Sequence, residues 1–599
     1  MPQMLLTDLQ KLWEQTYSEQ AVMELLRKEI PQELIEQSIG VLLNFEPEYE
    51  TQQTRWDSLL KLDLLQFCTD LWCWLIQLDD VTLTAVVAQT KYLIKEQTAL
   101  EKVKTMGEVI FLLAEADLLE LYRGIEDQWT VGCPLQFSDD ITAKVERIQY
   151  LPPMLCQPKT IRNWKDCGYL TVKDDGIILN NYVRNDGNYC LVNLNRFNRT
   201  PMKLNVDFLM KCHKALPEDP QLARFLQESW GIASDIINAG NEFFMTHKYD
   251  KRGRQYAQGY HINPQGDSSH KALIETALSE RLTQEGLYWL KVDIANQYGL
   301  DKLPTFDDRV AWVDQHIDHL EGLVDDIKEK NKPLYLKAVY ALRDHQAGLP
   351  ISHLAGLDAI FSGGQLWGVL TNCRKTCETV GLLGNTCIDP YMRLGDYIEG
   401  AYSRDDLKYS IMPHFYGSSV RPEEIFQDDI DVFLDLMASE MPGAEEGRNL
   451  LIEGWNPEAL EHRWTMPDGF EVIIPVMEKV EHRVTCLDGS SFTHVLNTNK
   501  PVKHSVSLPA NVIQSFDGYI VREMRRRLPK EIPLFTNHDC FKTHPNYVHL
   551  LNPTYCSILS DLANSNALDS VFESLGIDAQ IVHDEVLIDA LKHAKYALA

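Results

Sequence analysis

A run of basic side chains at four-residue spacing is the feature of this 599-residue sequence that most restricts its fold. Arg404, Lys408 and Met412 recur every fourth residue. Tyr416 and Gly417 follow directly after them. Steps of four residues place side chains along one face of a helix. Because Arg and Lys bind phosphates and an aromatic ring contacts a base or sugar, the run predicts a helix that binds a nucleoside triphosphate. The alternative interpretation is a solvated basic helix face.

Two acidic sites flank this helix in the sequence. Asp358 follows a short apolar run, and His538-Asp539 stands between two short β-like runs. Two carboxylates that share a pair of Mg2+ ions are the usual arrangement for phosphoryl and nucleotidyl transfer. Carboxylate, cationic helix and carboxylate, in this order, are similar to motifs A, B and C of the right-hand polymerases.

A series of short motifs surrounds these three sites. They are DKRGR at 250–254, INPQG at 262–266, EGLYWLKVDIAN from 285, TMPDGF at 465–470, LNTNK at 496–500 and NVIQSFDG at 511–518. In this order the motifs resemble those of the single-subunit DNA-dependent RNA polymerases of bacteriophages and mitochondria. The resemblance runs from about residue 151 to the C-terminus, and the short N-terminal part makes a trimmed phage member the expected type.

The resemblance implies an α+β, mostly α, right-hand polymerase fold with palm, fingers and a reduced thumb, preceded by an α-helical N-terminal domain. Apolar residues at three- and four-residue spacing independently predict helices in the N-terminal part. The expected segments are the N-terminal domain (1–150), a region connecting to the palm (151–215), the reduced thumb (216–245), the palm with motif A (246–374), the fingers with motif B (375–511), and the palm with motif C and the C-terminal segment (512–599). For residues 1–150 a helical scaffold and promoter contact both remain open.

A hairpin is predicted at 479–497, because Asp488-Gly489 is a tight-turn dipeptide between alternating runs. By position it resembles the specificity loop of the family, which would place Asp488 and Gly489 against promoter DNA. An ordinary surface hairpin is the alternative.

The resemblance also implies roles for individual side chains. Asp358 and Asp539 would be the ligands of two Mg2+ ions. Substrate contacts would come from the motif B helix, the residue after it and the surroundings of the two acids. On the helix, Lys408 would meet the β- and γ-phosphates and protonate pyrophosphate, and Arg404 would clamp the triphosphate beside Met412. After the helix, Tyr416 would lie near the incoming sugar, and Gly417 would let backbone approach the template. His538 and Gln514 would surround the metals and the nascent pair, and Arg252 and Arg254 would contact the template or hybrid backbone.

A second candidate for motif C lies near the C-terminus. The segment QIVHDEV at 580–586 copies the VHDE motif of family A DNA polymerases. Only fifteen residues follow Asp584, which leaves little chain to pack behind a catalytic hairpin. Asp539 is therefore the predicted motif C residue.

The residue five positions beyond Asp358 bears on the product. Family A DNA polymerases have a glutamate there that blocks a 2′-hydroxyl, and this sequence has Gly363. The sequence therefore favours RNA synthesis. A DNA polymerase or primase-like enzyme of the same superfamily stays open, as does a catalytically silent nucleic-acid-binding scaffold.

The net charge and the cysteines limit which partners and which compartment are expected. The formal net charge of −30 argues against a generally basic nucleic-acid-binding surface, so DNA contact is expected from local basic clusters such as 248–254. The expected partners are a DNA template, nascent RNA, NTPs and a helper or single-stranded-DNA-binding protein, with a monomeric state and no membrane. Thirteen scattered cysteines suit a reducing compartment. The expected location is the cytoplasm of an infected host cell, with packaging in the virion left open.

Overall fold

The computed structural model describes residues 5–124, 127–138, 141–142, 144–145, 150–173, 175–179, 189–215, 218, 220–398 and 402–599. Helices dominate, and the strands form small sheets of two or three members. The prediction of a mostly α, α+β protein is therefore confirmed. Among the described residues, no helix is both long and apolar enough to cross a membrane.

The helices follow one another along the whole chain. Their bounds are Leu6–Thr16, Glu19–Glu29, Gln32–Asn44, Glu50–Leu59, Leu64–Gln77, Leu83–Thr90, Ala99–Glu115, Leu191–Asn198, Val206–Ala215, Pro220–Asn238, Ser268–Leu273, Gln284–Tyr298, Phe306–Gln315, Lys332–Gln346, Ser362–Leu370, Arg374–Thr379, Pro390–Gly395, Arg404–Phe415, Val420–Phe426, Ile430–Glu440, Pro442–Glu453, Leu508–Arg527, Leu551–Ala563, Ala567–Leu575 and Glu585–Leu591. Of the predicted thumb interval, residues 216, 217 and 219 lie outside the described residues, and the helix Pro220–Asn238 occupies most of the remainder.

The strands pair mainly with close neighbours in the sequence. They are β1 (Val81–Thr82), β2 (Glu120–Arg123), β3 (Trp129–Gly132), β4 (Met202–Leu204), β5 (Thr246–Tyr249), β6 (Gln255–Gln258), β7 (Ile274–Thr276), β8 (Ala355–Asp358), β9 (Glu461–Thr465), β10 (Glu471–Pro475), β11 (Met477–Thr485), β12 (Ser491–Asn499), β13 (Phe535–Asn537) and β14 (Cys540–Thr543). The sheet β13-β14-β8 differs, because β8 joins it from nearly two hundred residues upstream.

The chain divides into two compact units. The larger contains residues 1–14, 152–475 and 502–599, and the smaller contains 15–151 and 476–501. The hairpin β11–β12 therefore belongs to the same unit as the N-terminal helices.

Within the smaller unit the hairpin packs on the helix Ala99–Glu115. A Cβ placed on Gly107 of that helix would come within 3.1 Å of the Phe492 ring, so the absence of a side chain permits the close approach. Trp129 donates its indole N–H to Ser490 Oγ at 3.2 Å. The hairpin predicted at 479–497 extends over 477–499, with Met477 opposite Asn499. The distant segment 476–501 thus completes the core of this unit.

In the larger unit the sheet β13-β14-β8 rests on a large hydrophobic core. Phe541 of β14 and Leu357 of β8 face each other across the strands and are 0% and 2% exposed. Side chains alternate between the faces of a strand, so Asp358 and its partner Cys540 lie on the opposite face. The buried face fixes the strand register, and the register fixes which residues reach the other face.

The helix Leu508–Arg527 holds the DKRGR segment by a close backbone approach. A Cβ on Gly518 would lie 2.5 Å from the Gly253 carbonyl oxygen, so only glycine fits at this point. Arg522, with 0% of its surface exposed, donates from Nη1 to the same carbonyl at 2.9 Å. Its other nitrogens bond the Asp468 carboxylate, with Nη2 at 3.1 Å. These bonds tie the DKRGR and TMPDGF motifs to this helix.

Candidate active site

Two carboxylates meet at one end of the sheet β13-β14-β8. Asp358 is the last residue of β8 and pairs with Cys540, and Asp539 directly precedes β14. The Ala359 amide donates to the Asp539 carbonyl oxygen at 3.3 Å, which holds the two backbones side by side. The Asp358 side chain keeps an exposed surface, yet the surrounding protein and then the Asp539 charge raise its pKa to about 7.

A two-residue turn presents Asp539. His538 and Asp539 connect β13 to β14, with Asn537 opposite Cys540. His538 has φ 55°, in the left-handed region that short hairpin turns require. Its ring contacts Tyr256 edge-on at 5.3 Å, and burial lowers its pKa. His538 is therefore a structural part of the turn that points Asp539 toward Asp358.

The basic run at 404–415 is a helix, as its spacing predicts. Ser403 and Asp406 form a capping box at its start. Arg404 pairs with Asp389 at 2.5 Å and lies over the Tyr391 ring at 5.4 Å. Lys408 is half-buried and, within the part of the chain that the structure describes, forms no ion pair. Lys408 thus keeps its charge available to a ligand.

The helix ends two residues after Pro413, which lacks an N–H for the carbonyl one turn back. Tyr416 follows as the C-cap residue, and its amide donates to the Met412 carbonyl at 3.2 Å. Met412 packs half-buried against the hydrophobic core. The helix therefore ends before Tyr416.

Tyr416 points toward Gly363. A Cβ on Gly363 would lie 3.1 Å from the Tyr416 hydroxyl oxygen, so the two positions border one small space. Burial raises the pKa of Tyr416 to about 12, which keeps its hydroxyl protonated as a donor. Gly417 next to it has φ 99°, and a Cβ there would lie 2.2 Å from the Val506 carbonyl oxygen. Gly417 is thus required by packing against residue 506.

The two arginines of the DKRGR segment that are predicted to contact nucleic acid form hydrogen bonds with other side chains of the protein. Arg254 donates from Nε to Asp517 at 2.8 Å, and 18% of its side chain is exposed. Arg252 binds Asp250 through two nitrogens, at 2.9 and 2.7 Å, and also Gln514. Here these arginines join the segment to the helix Leu508–Arg527.

Asp517 is a functional candidate that sequence reasoning missed. Burial raises its pKa to about 7, the Arg254 charge opposes this, and the Asp539 charge adds to it. Asp517 and Asp539 therefore sense each other's charge. The signal was present, since Asp517 lies inside the NVIQSFDG motif.

Asp301 and Lys302 are a second missed pair. Lys302 lowers the pKa of Asp358 and Asp301 raises it, so both lie near that carboxyl. Their own charged groups are 2.8 Å apart. The pair closely follows the helix Gln284–Tyr298, which contains the EGLYWLKVDIAN motif. Proximity to this motif is the only feature of the sequence that points to the pair.

The remaining candidates lie elsewhere. Asp584 is the N-cap of the helix Glu585–Leu591, and its carboxylate accepts from the amides of Val586 and Leu587 at 3.0 Å. Asp488 and Gly489 lie at the tip of the hairpin in the smaller unit, where Gly489 has φ 80°. The structure thus brings Asp539, and not Asp584, next to Asp358.

The donor set at the sheet end suits Mg2+. This ion takes oxygen ligands and commonly binds through one or two carboxylates, with waters and substrate phosphates as the other ligands. Asp358 and Asp539 supply two such carboxylates, and the raised pKa of Asp358 reflects a negative charge that a cation would offset. Among the described residues, no group of three or more His, Cys, Asp and Glu is arranged to hold a metal ion. Two carboxylates suit an ion whose other ligands are waters and substrate phosphates.

Comparison with known proteins gives one consistent set of names. The family described as DNA-dependent RNA polymerase matches residues 280–340. The DNA-directed RNA polymerase of Pseudomonas phage phiKMV is 34% identical over 170 residues, which are 27% of this chain and 19% of the relative. The enzyme of Enterobacteria phage T3 is 42% identical over 71 residues, 12% of this chain and 8% of the relative. The mouse mitochondrial enzyme is 22% identical over 375 residues, 52% and 31% of the two chains. The chain thus spans less than a third of the length of each of these relatives.

Proposed function

Because this chain belongs to the family of single-subunit DNA-dependent RNA polymerases, we propose that it transfers a nucleoside monophosphate from an NTP to the 3′-hydroxyl of an RNA along a DNA template. The observation that carries the proposal is the meeting of Asp358 and Asp539 at one sheet end. Both residues come from motifs that the family shares. A binding scaffold without catalysis has no use for two carboxylates that raise each other's free energy.

In this proposal the sheet β13-β14-β8 is the floor of the palm, and the helix Arg404–Phe415 belongs to the fingers of a right-hand fold. The support is the order of the elements along the chain. A carboxylate, a basic helix and a second carboxylate follow one another in the same order as motifs A, B and C of the right-hand polymerases. The reduced thumb would be the helix Pro220–Asn238.

Each side chain has a task in this reaction. Asp358 and Asp539 would hold two Mg2+ ions, which when bound supply positive charge to the 3′-hydroxyl and the triphosphate. Lys408 would bind the outgoing phosphates and give a proton to pyrophosphate. Arg404, oriented by Asp389, would fix the triphosphate by paired N–H donors. Charge-assisted contacts of this kind stabilise negative charge that develops in the transition state.

A run-off assay tests the proposal. The full chain is incubated with Mg2+, a premelted DNA template and either four rNTPs or four dNTPs. Template-length RNA is the expected product. Products from dNTPs alone would favour the DNA polymerase alternative, and no product under either condition, with template binding retained, would favour the silent scaffold.

The space between Gly363 and Tyr416 supports RNA as the product. A side chain at residue 363 would occupy the region beside the Tyr416 hydroxyl, and glycine leaves it open for a 2′-hydroxyl. The protonated phenol is a hydrogen-bond donor or acceptor for that group.

Replacing Tyr416 with phenylalanine should therefore increase the use of dNTPs relative to rNTPs several-fold, with little loss of rate. The reason is the loss of one hydrogen bond, worth roughly 0.5–1.5 kcal/mol. The measurement is the ratio of kcat/KM for an rNTP and its dNTP on one primed template. Tyr409, exposed on the preceding helix, supplies the matched control Tyr409→Phe. An unchanged ratio in Tyr416→Phe would remove the phenol from sugar selection.

The partners follow from the same proposal: a DNA template, nascent RNA, NTPs, and a helper or single-stranded-DNA-binding protein, with the enzyme acting as a monomer in the cytoplasm of an infected host cell. The helper is motivated by charge. The chain carries a net charge of −30, and the arginines of the DKRGR segment are already paired with carboxylates.

The net negative charge and the internal pairing of these arginines should make the grip on duplex DNA weak and sensitive to salt. Binding falls steeply with salt because phosphate contacts release counterions. We expect short products on linear duplex templates and a loss of activity of about tenfold or more between 50 and 200 mM salt. A premelted or single-stranded template should restore synthesis. Long transcripts from plain duplex DNA at 150 mM salt, with no added protein, would contradict this expectation.

A further inference from the structure

A small cavity with three lysines among its mainly apolar lining lies beside the sheet β13-β14-β8. Its lining includes Lys271, Lys337 and Lys542 together with Asp293 and His353. The cavity volume is about 30 Å³, which is more than a single water molecule needs. The sequence motifs and the proposed mechanism leave this cluster without a role.

The three lysines form no close ion pair within the described part of the chain. Among the described residues, none of them has a carboxylate within 4 Å of its ammonium nitrogen. Lys337 is 4% exposed, and its ammonium donates to the Ile274 carbonyl. Burying a cation without a counter-charge costs free energy, and here Lys542 also repels Lys271. Glu275 and Asp293 act on Lys337, and Asp267 and Asp358 act on Lys271, from beyond ion-pair distance.

Of the residues that the structure describes, Asp293 is the carboxylate that lines the cavity, and it is already engaged. Asp293 Oδ2 is 2.7 Å from His353 Nε2, and Gln297 donates to Oδ1 at 3.2 Å. His353 is 3% exposed, and its Nδ1 has no hydrogen-bond partner within the described part of the chain. The ammonium groups of the three lysines are thus the donor set that the cavity offers to an anion.

The cavity is adjacent to the carboxylate pair. Lys542 is two residues beyond Cys540 on β14, and Cys540 pairs with Asp358. Lys542 therefore lies on the same face of the sheet, about 7 Å further along the strand. A Cβ on Gly356, its cross-strand partner, would lie 2.5 Å from Lys542 Cγ, so glycine makes room for the lysine stem. One step of a nucleic-acid backbone is of comparable length.

From this arrangement we propose that the cavity formed by Lys271, Lys337, Lys542 and His353 binds a phosphate group. The group has two possible carriers: inorganic phosphate from solution, or a phosphodiester of the nascent strand close to its 3′ end. Binding of the nascent strand rests on the proposed function, whereas binding of inorganic phosphate does not.

Equilibrium dialysis of the full chain against radiolabelled inorganic phosphate tests the first carrier. We expect one phosphate per chain. Lys542→Gln and Lys271→Gln should each weaken binding by about tenfold or more, since each removes a charged hydrogen bond. Both lysines are half-exposed, so the variants should fold, and circular dichroism verifies this. Lys330→Gln, at an exposed position, is the matched control and should bind as the unchanged chain does.

A binding assay that needs no catalysis tests the second carrier. Primer–template duplexes carry one neutral methylphosphonate linkage at each of the four positions nearest the primer 3′ end. If a phosphodiester of the strand occupies the cavity, the methylphosphonate at one of these positions weakens binding to the unchanged chain by about tenfold. The same methylphosphonate has no effect on binding to Lys542→Gln.

A positive result in either assay supports the site and identifies its carrier. Phosphate binding that is absent or equal in all variants, together with methylphosphonate effects that do not depend on Lys542, overturns the proposal. Neither assay requires RNA synthesis. A chain that binds phosphate but makes no RNA would therefore retain this site while losing the proposed function.

Discussion

Asp358→Asn and Asp539→Asn should each reduce nucleotide addition by about a thousandfold or more while template binding survives. Both carboxylates lie at the same sheet end, and each amide would remove a negative ligand from the metals that they are proposed to share. The amide is nearly isosteric with the carboxylate, so the turn at residues 538–539 should persist. The measurement is single-nucleotide extension under saturating NTP, with template affinity measured in parallel.

Asp584→Asn is the matched control for this experiment. Asp584, like Asp539, directly follows a histidine, yet it caps a helix through backbone amides. Asparagine is also a good N-cap residue, so activity and stability should change little. If Asp584→Asn abolished extension and Asp539→Asn did not, the assignment of motif C would be wrong.

Arg522→Leu should lower the free energy of unfolding by about 3–5 kcal/mol, because it leaves the Asp468 carboxylate buried without its partner. The same change removes the donor to the Gly253 carbonyl and so loosens the DKRGR segment. Urea unfolding of the purified chain measures the loss. Simultaneous Asp468→Leu should recover part of it, since the stranded charge is then gone.

Arg526→Leu provides the comparison on the same helix. Arg526 pairs with Glu523, but 57% of its side chain is exposed, and exposed pairs contribute roughly 0–1 kcal/mol. If the Arg522 and Arg526 variants lowered the free energy of unfolding equally, burial of the Arg522–Asp468 pair would add nothing to the stability of the protein.

The parts of the site that the sequence predicts well are those fixed by local physics. The helix at 404–415 begins at a capping box and carries its basic residues at helical spacing. The turn at residues 538–539 is bounded by short apolar runs that need one buried face. In both cases neighbours within four residues determine the conformation, so a local pattern is sufficient.

What the sequence did not reveal depends on contacts between distant residues. The contact of Arg254 with nucleic acid stays a prediction, and nothing local in the sequence indicates that Asp517 lies 2.8 Å from it. The lysine cavity gathers Lys271, Lys337 and Lys542 from three elements with no common motif. The hairpin was assigned to the segment 375–511 on sequence position, whereas the structure groups it with residues 15–151. Patterns in a single sequence carry no information on such long-range pairing.

The composition of the smaller unit has a consequence for synthesis of the chain on the ribosome. Its helices are complete once residue 151 has been made, but the hairpin 476–501 that covers the helix Ala99–Glu115 is translated about 350 residues later. At about 5–20 residues per second, this delay is on the order of 20–70 s. During that time the apolar face around Gly107 lacks its cover, so this unit is expected to acquire its native packing after translation has passed residue 501, and to be the part of the newborn chain that most needs a chaperone.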